Sequence, residues 1–229
     1  MRRAAALVLF LIAFGARAED PDILWKLVDG KCVPAAQAHL PPAPCTAVDA
    51  TRGMAVLKDR AGAYQYLVIP TTRITGIEDP AVLADNASFA VAWDTRRLVI
   101  AKLGTALPDP AFSVAVNSQN GRSQNQLHLH VDCLEAGTRG RLMGEAIGES
   151  WAPFRWPLGG HRYIARLIAA DSLDGINPFR LLAEHVGGPI GDWTLVLTRS
   201  ADKPAFILLA SNDGRASGED LQDHACRGY

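Results

Sequence analysis

A chain of 229 residues with 48% hydrophobic and 21% charged side chains is long and apolar enough to bury a core, which excludes a disordered or fibrous protein. A net charge of −1 offers no basic stripe for a polyanion, which argues against nucleic acid as a partner. A small anionic ligand, gripped locally, fits this balance better.

Residues 1–18 begin with Arg2 and Arg3, run apolar over 4–16, and end in Ala16-Arg17-Ala18 before the acidic Glu19-Asp20. A basic start, a short apolar middle and small residues at the cut are the layout of a secretory signal. The run is shorter than the roughly 17 to 25 residues that a spanning helix needs, which favours a cleaved signal over a retained membrane anchor. On either reading residues 19–229 form one exported domain, and the basic end stays in the cytoplasm.

The first element expected is a short helix over 22–28, followed by a Pro-rich loop between Cys32 and Cys45. Four cysteines, Cys32, Cys45, Cys133 and Cys226, are an even count in an exported chain, where disulfides persist. Pairing Cys32 with Cys45 would stiffen that loop and leave Cys133 for Cys226. Four cysteines allow three connectivities, and their spacing does not choose among them.

The core is expected from Met54, where residues 54–59 and 64–70 read as two strands around a turn containing Gly62. Residues 86–103 read as the longest helix, stopped by Gly104. Residues 112–117 and 126–133 read as two more strands joined by a polar loop that turns at Gly121. Residues 139–149 and 163–170 look helical, linked by a stretch with Trp151, Trp156, Gly159 and Gly160. A further helix starts with Asn177 as N-cap and Pro178 at the first helical position, and ends at Gly187-Gly188. Residues 193–200 and 204–211 read as a closing strand pair. Together these elements make an α+β domain.

The stretch 124–133, QNQLHLHVDC, carries the chemistry. Alternation on a strand puts His128 and His130 on one face and Leu127, Leu129 and Val131 on the other. A histidine there can attack phosphorus and divide one difficult displacement into two easier ones. Such a site needs donors where charge builds on the phosphate oxygens, and the preceding loop offers Asn117, Arg122, Ser123 and Asn125. Arg122 is suited to binding phosphate as a fork.

Asn117, Gly121-Arg122-Ser123 and Gln126-Leu127-His128-Leu129-His130-Val131 resemble the histidine-triad superfamily of nucleotide hydrolases and transferases. Its signature alternates three histidines with apolar residues after an Asn-bearing strand and a Gly-containing loop. More narrowly, residues 57–60, Tyr66-Leu67-Val68-Ile69-Pro70, Asn117-Ser118, Gln124-Asn125, the cysteine placement and Asp223-His224-Ala225-Cys226 resemble the bacterial CDP-diacylglycerol pyrophosphatase family, over nearly the whole chain. The resemblance implies an HIT-like antiparallel core and hydrolysis of CDP-diacylglycerol to CMP and phosphatidate at the periplasmic side of the inner membrane. It implies His128 as the nucleophile on the phosphorus attached to cytidine, and His130 as donor to a phosphate oxygen. Ser123 is implied as a small loop donor, and Asn117 as the loop-anchoring or ribose-proximal asparagine. Such cores are often dimeric, which leaves an oligomer open.

Gln126 departs from the pattern by standing where the first triad histidine belongs. Its amide donates and accepts hydrogen bonds but does not change charge near neutral pH. Leaving-group protonation is the step this affects, although phosphatidate leaves as a phosphate and needs little acid assistance. No metal or other cofactor is expected. Two rival readings stand beside this one. A zinc hydrolase would use His128 and His130 as ligands and need a third, with His161 or His224 as candidates. A nucleotide- or lipid-binding protein without turnover would be consistent with the missing histidine. His39 and His185 read as solvated, Lys58 and Arg73 as solvated charges, and the tryptophans as core packing or an acyl groove.

Overall fold

The computed structural model describes residues 20–214 and 216–228. The export segment expected over 1–18 lies outside them. Among the described residues no helix is long and apolar enough to cross a membrane.

The described chain starts with helix α1 (Ile23–Leu27), widens through a π turn at Val28–Cys32 and continues as α2 (Val33–Gln37). Strands β1 (Cys45–Asp49), β2 (Met54–Lys58) and β3 (Tyr66–Pro70) follow, then α3 (Ser88–Leu103), β4 (Phe112–Val116) and β5 (Leu129–Leu134). The second half holds α4 (Ala136–Leu142), β6 (Ala152–Pro153), β7 (Ile164–Ile168), α5 (Pro178–Val186), β8 (Thr194–Arg199), β9 (Phe206–Ser211) and β10 (Gln222–Asp223). These strands form one antiparallel sheet in the order β1-β2-β3-β5-β4-β8-β9-β7-β6, with β10 on β5 beyond the end of β3. The architecture is the α+β class expected.

One face of the sheet carries α3 and α5. Phe89 and Trp93, one turn apart on α3, pack with Leu129 and Val131 of β5, Phe179 of α5 and Phe206 of β9. Burying each such side chain contributes roughly 1.5–3 kcal/mol, which fixes the register of β5 and turns its other residues to the opposite face. Gly104 closes α3 in the left-handed region at φ 73°, as its position after the apolar pattern predicts. Asn177 caps α5 by accepting from the Arg180 amide at 3.0 Å.

The opposite face is covered at its two ends. Leu24 of α1 packs with Ala55, Leu57, Leu67 and Ile69. At the other end Ala115, Leu134, Val196, Leu209 and Leu221 form a separate cluster. His130 stands between Leu67 of β3 and Ala115 of β4 in the strand register, at the gap between these two clusters.

Several elements differ from the sequence expectation. Residues 163–170, expected helical, hold strand β7, because Tyr163, Ala165 and Leu167 bury every second side chain and the segment pairs with β9. The helix expected over 139–149 is α4, which starts on the Glu135 cap and ends at Met143 before Gly144 at φ 78°. The strand expected from 126 is regular only from Leu129, since Pro70 ends the pairing of β3 and the Leu127 amide donates instead to the Ile74 carbonyl at 2.7 Å. β1 was not expected, nor was the helix α2 inside the Cys32–Cys45 loop. Both disulfides, Cys32–Cys45 and Cys133–Cys226, are formed.

Candidate active site

The loop from Asn117 to Gln126 is held by its own polar side chains. Ser118 turns it by accepting the Gly121 amide at 3.1 Å, and a side chain at Gly121 would press within 3.2 Å of the Ala216 carbonyl. Arg122 lies near His128, lining a small recess with Asn117 and Gln126, but its guanidinium is already engaged. Its fork closes on Glu78 at 2.5 and 2.6 Å, so the expectation that it grips phosphate is corrected to a loop-to-loop clamp. Asn125, expected as a phosphate donor, instead accepts from Arg122 at 3.4 Å and donates its backbone amide to the Pro21 carbonyl at 2.6 Å.

Gln126 is fully buried and donates to the Pro70 and Thr72 carbonyls at 3.2 and 2.9 Å. It ties down the end of β3, and its backbone serves the site. The Gln126 carbonyl lies 2.6 Å from His128 Nδ1, which places the ring proton there and leaves Nε2 with its lone pair. Burial, and next the neighbouring His130, pull the His128 pKa down to about 3, so the ring stays neutral at ordinary pH. The rings of His128 and His130 meet edge to face with centroids 4.7 Å apart.

His130 is aligned by a residue that no sequence pattern marked. Its Nδ1 lies 3.1 Å from the carboxylate of Glu219, in the turn before β10. Burial opposes ionisation of Glu219, yet hydrogen bonds from His130, Asn117 and Gln65 outweigh it and hold the carboxyl well below its usual range. Asn117 donates to Glu219 at 2.8 Å, while its carbonyl oxygen accepts from the Ser217 hydroxyl and the Gly218 amide at 2.8 and 3.0 Å. These bonds make Asn117 an anchor of the C-terminal segment. Gln222 donates to the His130 carbonyl at 3.1 Å. Glu219, Gln65 and Gln222 lie far from the histidines in sequence, and no pattern in the sequence marked them for the site.

A second pair flanks this network. His224 Nδ1 stands 2.9 Å from the buried carboxylate of Asp132, and its Nε2 stands 3.9 Å from Glu219. The Asp132 hydrogen bond raises the His224 pKa against the opposing effect of burial. The Cys133–Cys226 bridge brings His224 here.

The histidines open into a cavity of about 450 Å3. Ser123, Gln124, His128, His130 and Glu219 line one part, and Ile23, Leu24, Leu27, Leu57 and Leu67 line another. No tryptophan lines it, and neither Arg122 nor Asn125 does. Of the third ligands considered for a zinc site, His161 faces Asp220 at 3.6 Å, and His224, though near the site, is held by Asp132. Among the described residues, the metal-capable atoms brought together belong to Asp132, Cys133 and Cys226, and both sulfurs are spent in the disulfide.

The geometry offers a neutral buried imidazole with a free Nε2, a second imidazole aligned by a carboxylate, and a cavity with polar and apolar walls. Comparison with known proteins agrees with a hydrolytic site. A curated CDP-diacylglycerol pyrophosphatase from Yersinia pestis is 38% identical over 237 aligned positions, covering 96% of this chain and 92% of that protein. A crystal structure of a DUF4931 family protein from Bacillus cereus overlaps 76% of this chain and 88% of its own with a TM-score of 0.43 at 11% identity. The family model for CDP-diacylglycerol pyrophosphatase matches residues 19–228, and this chain belongs to that family.

Proposed function

We propose that the protein hydrolyses the pyrophosphate bond of CDP-diacylglycerol through His128. The neutral Nε2 attacks the phosphorus that carries cytidine, and the bond to the bridging oxygen breaks with its electron pair leaving on phosphatidate. Water then attacks the cytidylyl-histidine and gives up one proton to solvent while the other stays on the new phosphate oxygen; the P–N bond breaks, and CMP departs as His128 regains its lone pair. His130, with Nδ1 toward Glu219 and Nε2 3.5 Å from the Asn117 amide nitrogen, stands beside the non-bridging oxygens, and Ser123 adds a donor at the cavity edge. Phosphatidate leaves as a phosphate anion, so no proton donor is needed at position 126, whose side chain is turned onto the Pro70 and Thr72 carbonyls. The export segment and the two disulfides support a location outside the cytoplasm, at the outer face of the inner membrane.

One observation carries the mechanism: the 2.6 Å contact between His128 Nδ1 and the Gln126 carbonyl, which fixes the nucleophilic nitrogen on the cavity side. Release of CMP from CDP-diacylglycerol in detergent, with and without chelator, tests it. Expected are release that survives chelator, loss by a factor of at least ~10^3 in His128→Ala, and an acid-labile nucleotide adduct in quenched wild-type protein. Retention of activity in His128→Ala overturns the nucleophile. Chelator sensitivity would favour the zinc chemistry, and binding without turnover would favour a carrier.

A further inference from the structure

The sheet register gives the cavity a direction. His130 on β5 stands opposite Leu67 on β3, and Leu67 stands opposite Leu57 on β2. At ~4.8 Å per strand the row reaches ~10 Å from the histidine, turning from polar to apolar within one strand spacing. α1 lies along this row, with Leu24 packed on Leu57 and Leu67, while Leu27 and Ile23 also line the cavity. Ile23 is 37% exposed, so its side chain is open to a ligand at the mouth of the cavity that it lines.

The chain also enters here. Asp20, through which residues 1–19 join the described domain, lines the same cavity. Its carbonyl accepts from Gln124 at 3.2 Å, and the next carbonyl, of Pro21, accepts from Asn125. The start of the domain is therefore tied to the loop that precedes the histidines.

We infer that the α1 wall, Ile23 and Leu27 with Leu57 and Leu67, is the subsite for the acyl-bearing glycerol of a lipid-linked nucleotide, and that it sets preference for lipid over soluble substrates. The inference rests on the function proposed above. The four aliphatic side chains offer no donor or acceptor, so they do not satisfy the polar edges of a nucleobase, whereas an acyl chain needs no such partner. From an attacked phosphorus near His128 and His130, one strand spacing spans the second phosphate and the next reaches the glycerol beside Leu57 and α1, with Lys58, Asp59 and Arg60 lining the same cavity next to Leu57.

The test compares kcat/KM of the full chain, and of its Ile23→Ser and Leu27→Ser variants, on CDP-diacylglycerol in mixed micelles and on soluble CDP-glycerol. Each variant is expected to lower the lipid-to-soluble ratio about 10-fold, mainly through KM for the lipid, with Ile23→Leu restoring it. Equal losses on both substrates would overturn the assignment in favour of nucleoside binding, and an unchanged ratio would overturn it outright. Binding of a fluorescent short-chain phosphatidate reads the same wall without turnover. It should weaken by a similar factor in both serine variants, and equal binding by all three proteins would sink the subsite. If the wild type cleaves neither substrate but binds this probe through the wall, the hydrolase reading alone fails.

Discussion

At the scale of single residues, the site depends on where one proton sits. The Gln126 carbonyl holds the proton of His128 on Nδ1, and burial keeps a second proton off Nε2. The same burial has a consequence for stability. Unfolded, His128 takes up a proton near pH 6.5, while in the folded protein it does so only at about 3. Between these values the unfolded chain binds the extra proton, so this group makes stability fall as pH drops. His128→Asn should remove that penalty and lose roughly 3 kcal/mol less stability between pH 7 and pH 4 than the wild type, read from urea midpoints. Identical pH dependence in the two proteins would show that the imidazole is not desolvated. Gln126 shows the limit of a motif at this scale. Its position in the pattern implies an active-site role, yet its side chain clamps two carbonyls at the end of β3 and only its backbone serves His128.

At the scale of elements, the C-terminal segment is as much a part of the site as β5. Residues 217–226 cross the histidine face, supply Glu219, and are held by Asn117, by the pairing of β10 with β5 and by the bridge to Cys133. His224 adds a pH-dependent hold. Its folded pKa is raised by Asp132, so its contribution is complete below the unfolded value near 6.5 and is lost as pH rises through the folded one. Amide exchange over residues 222–226, corrected for the intrinsic rate, should accelerate more with rising pH in the wild type than in His224→Phe. Equal acceleration would mean that the ion pair does not secure the segment. The hydrophobic pattern located β2, β3, α3, α5, β8 and β9, because each buries a continuous set of apolar residues at its own period. It missed β7, where Ala- and Leu-rich composition reads as helix and only pairing with β9 selects the strand.

At the scale of the molecule, a sheet with one face covered by α3 and α5 leaves the other open for a site between two smaller clusters. Two covalent links secure its margins, one closing a separation of 13 residues and the other one of 93. Links of this kind contribute roughly 2–5 kcal/mol each by restricting the unfolded chain. Full reduction should therefore lower the Tm by on the order of 10 °C, and Cys133→Ser/Cys226→Ser should also lower CMP release because the Glu219 wall loosens. A Tm indifferent to reductant would place the sulfurs as free thiols. Sequence by itself determined the α+β class and the alternation that puts His128 and His130 on one face, since these follow from composition and local period. Only the tertiary structure decided that Arg122 closes on Glu78, that Asn117 anchors a distant segment, and that Glu219, Gln65 and His224 gather around the histidines. Those partners are separated by up to 154 residues, as Gln65 and Glu219 are, and their meeting depends on strand order and disulfide closure, which no local pattern encodes.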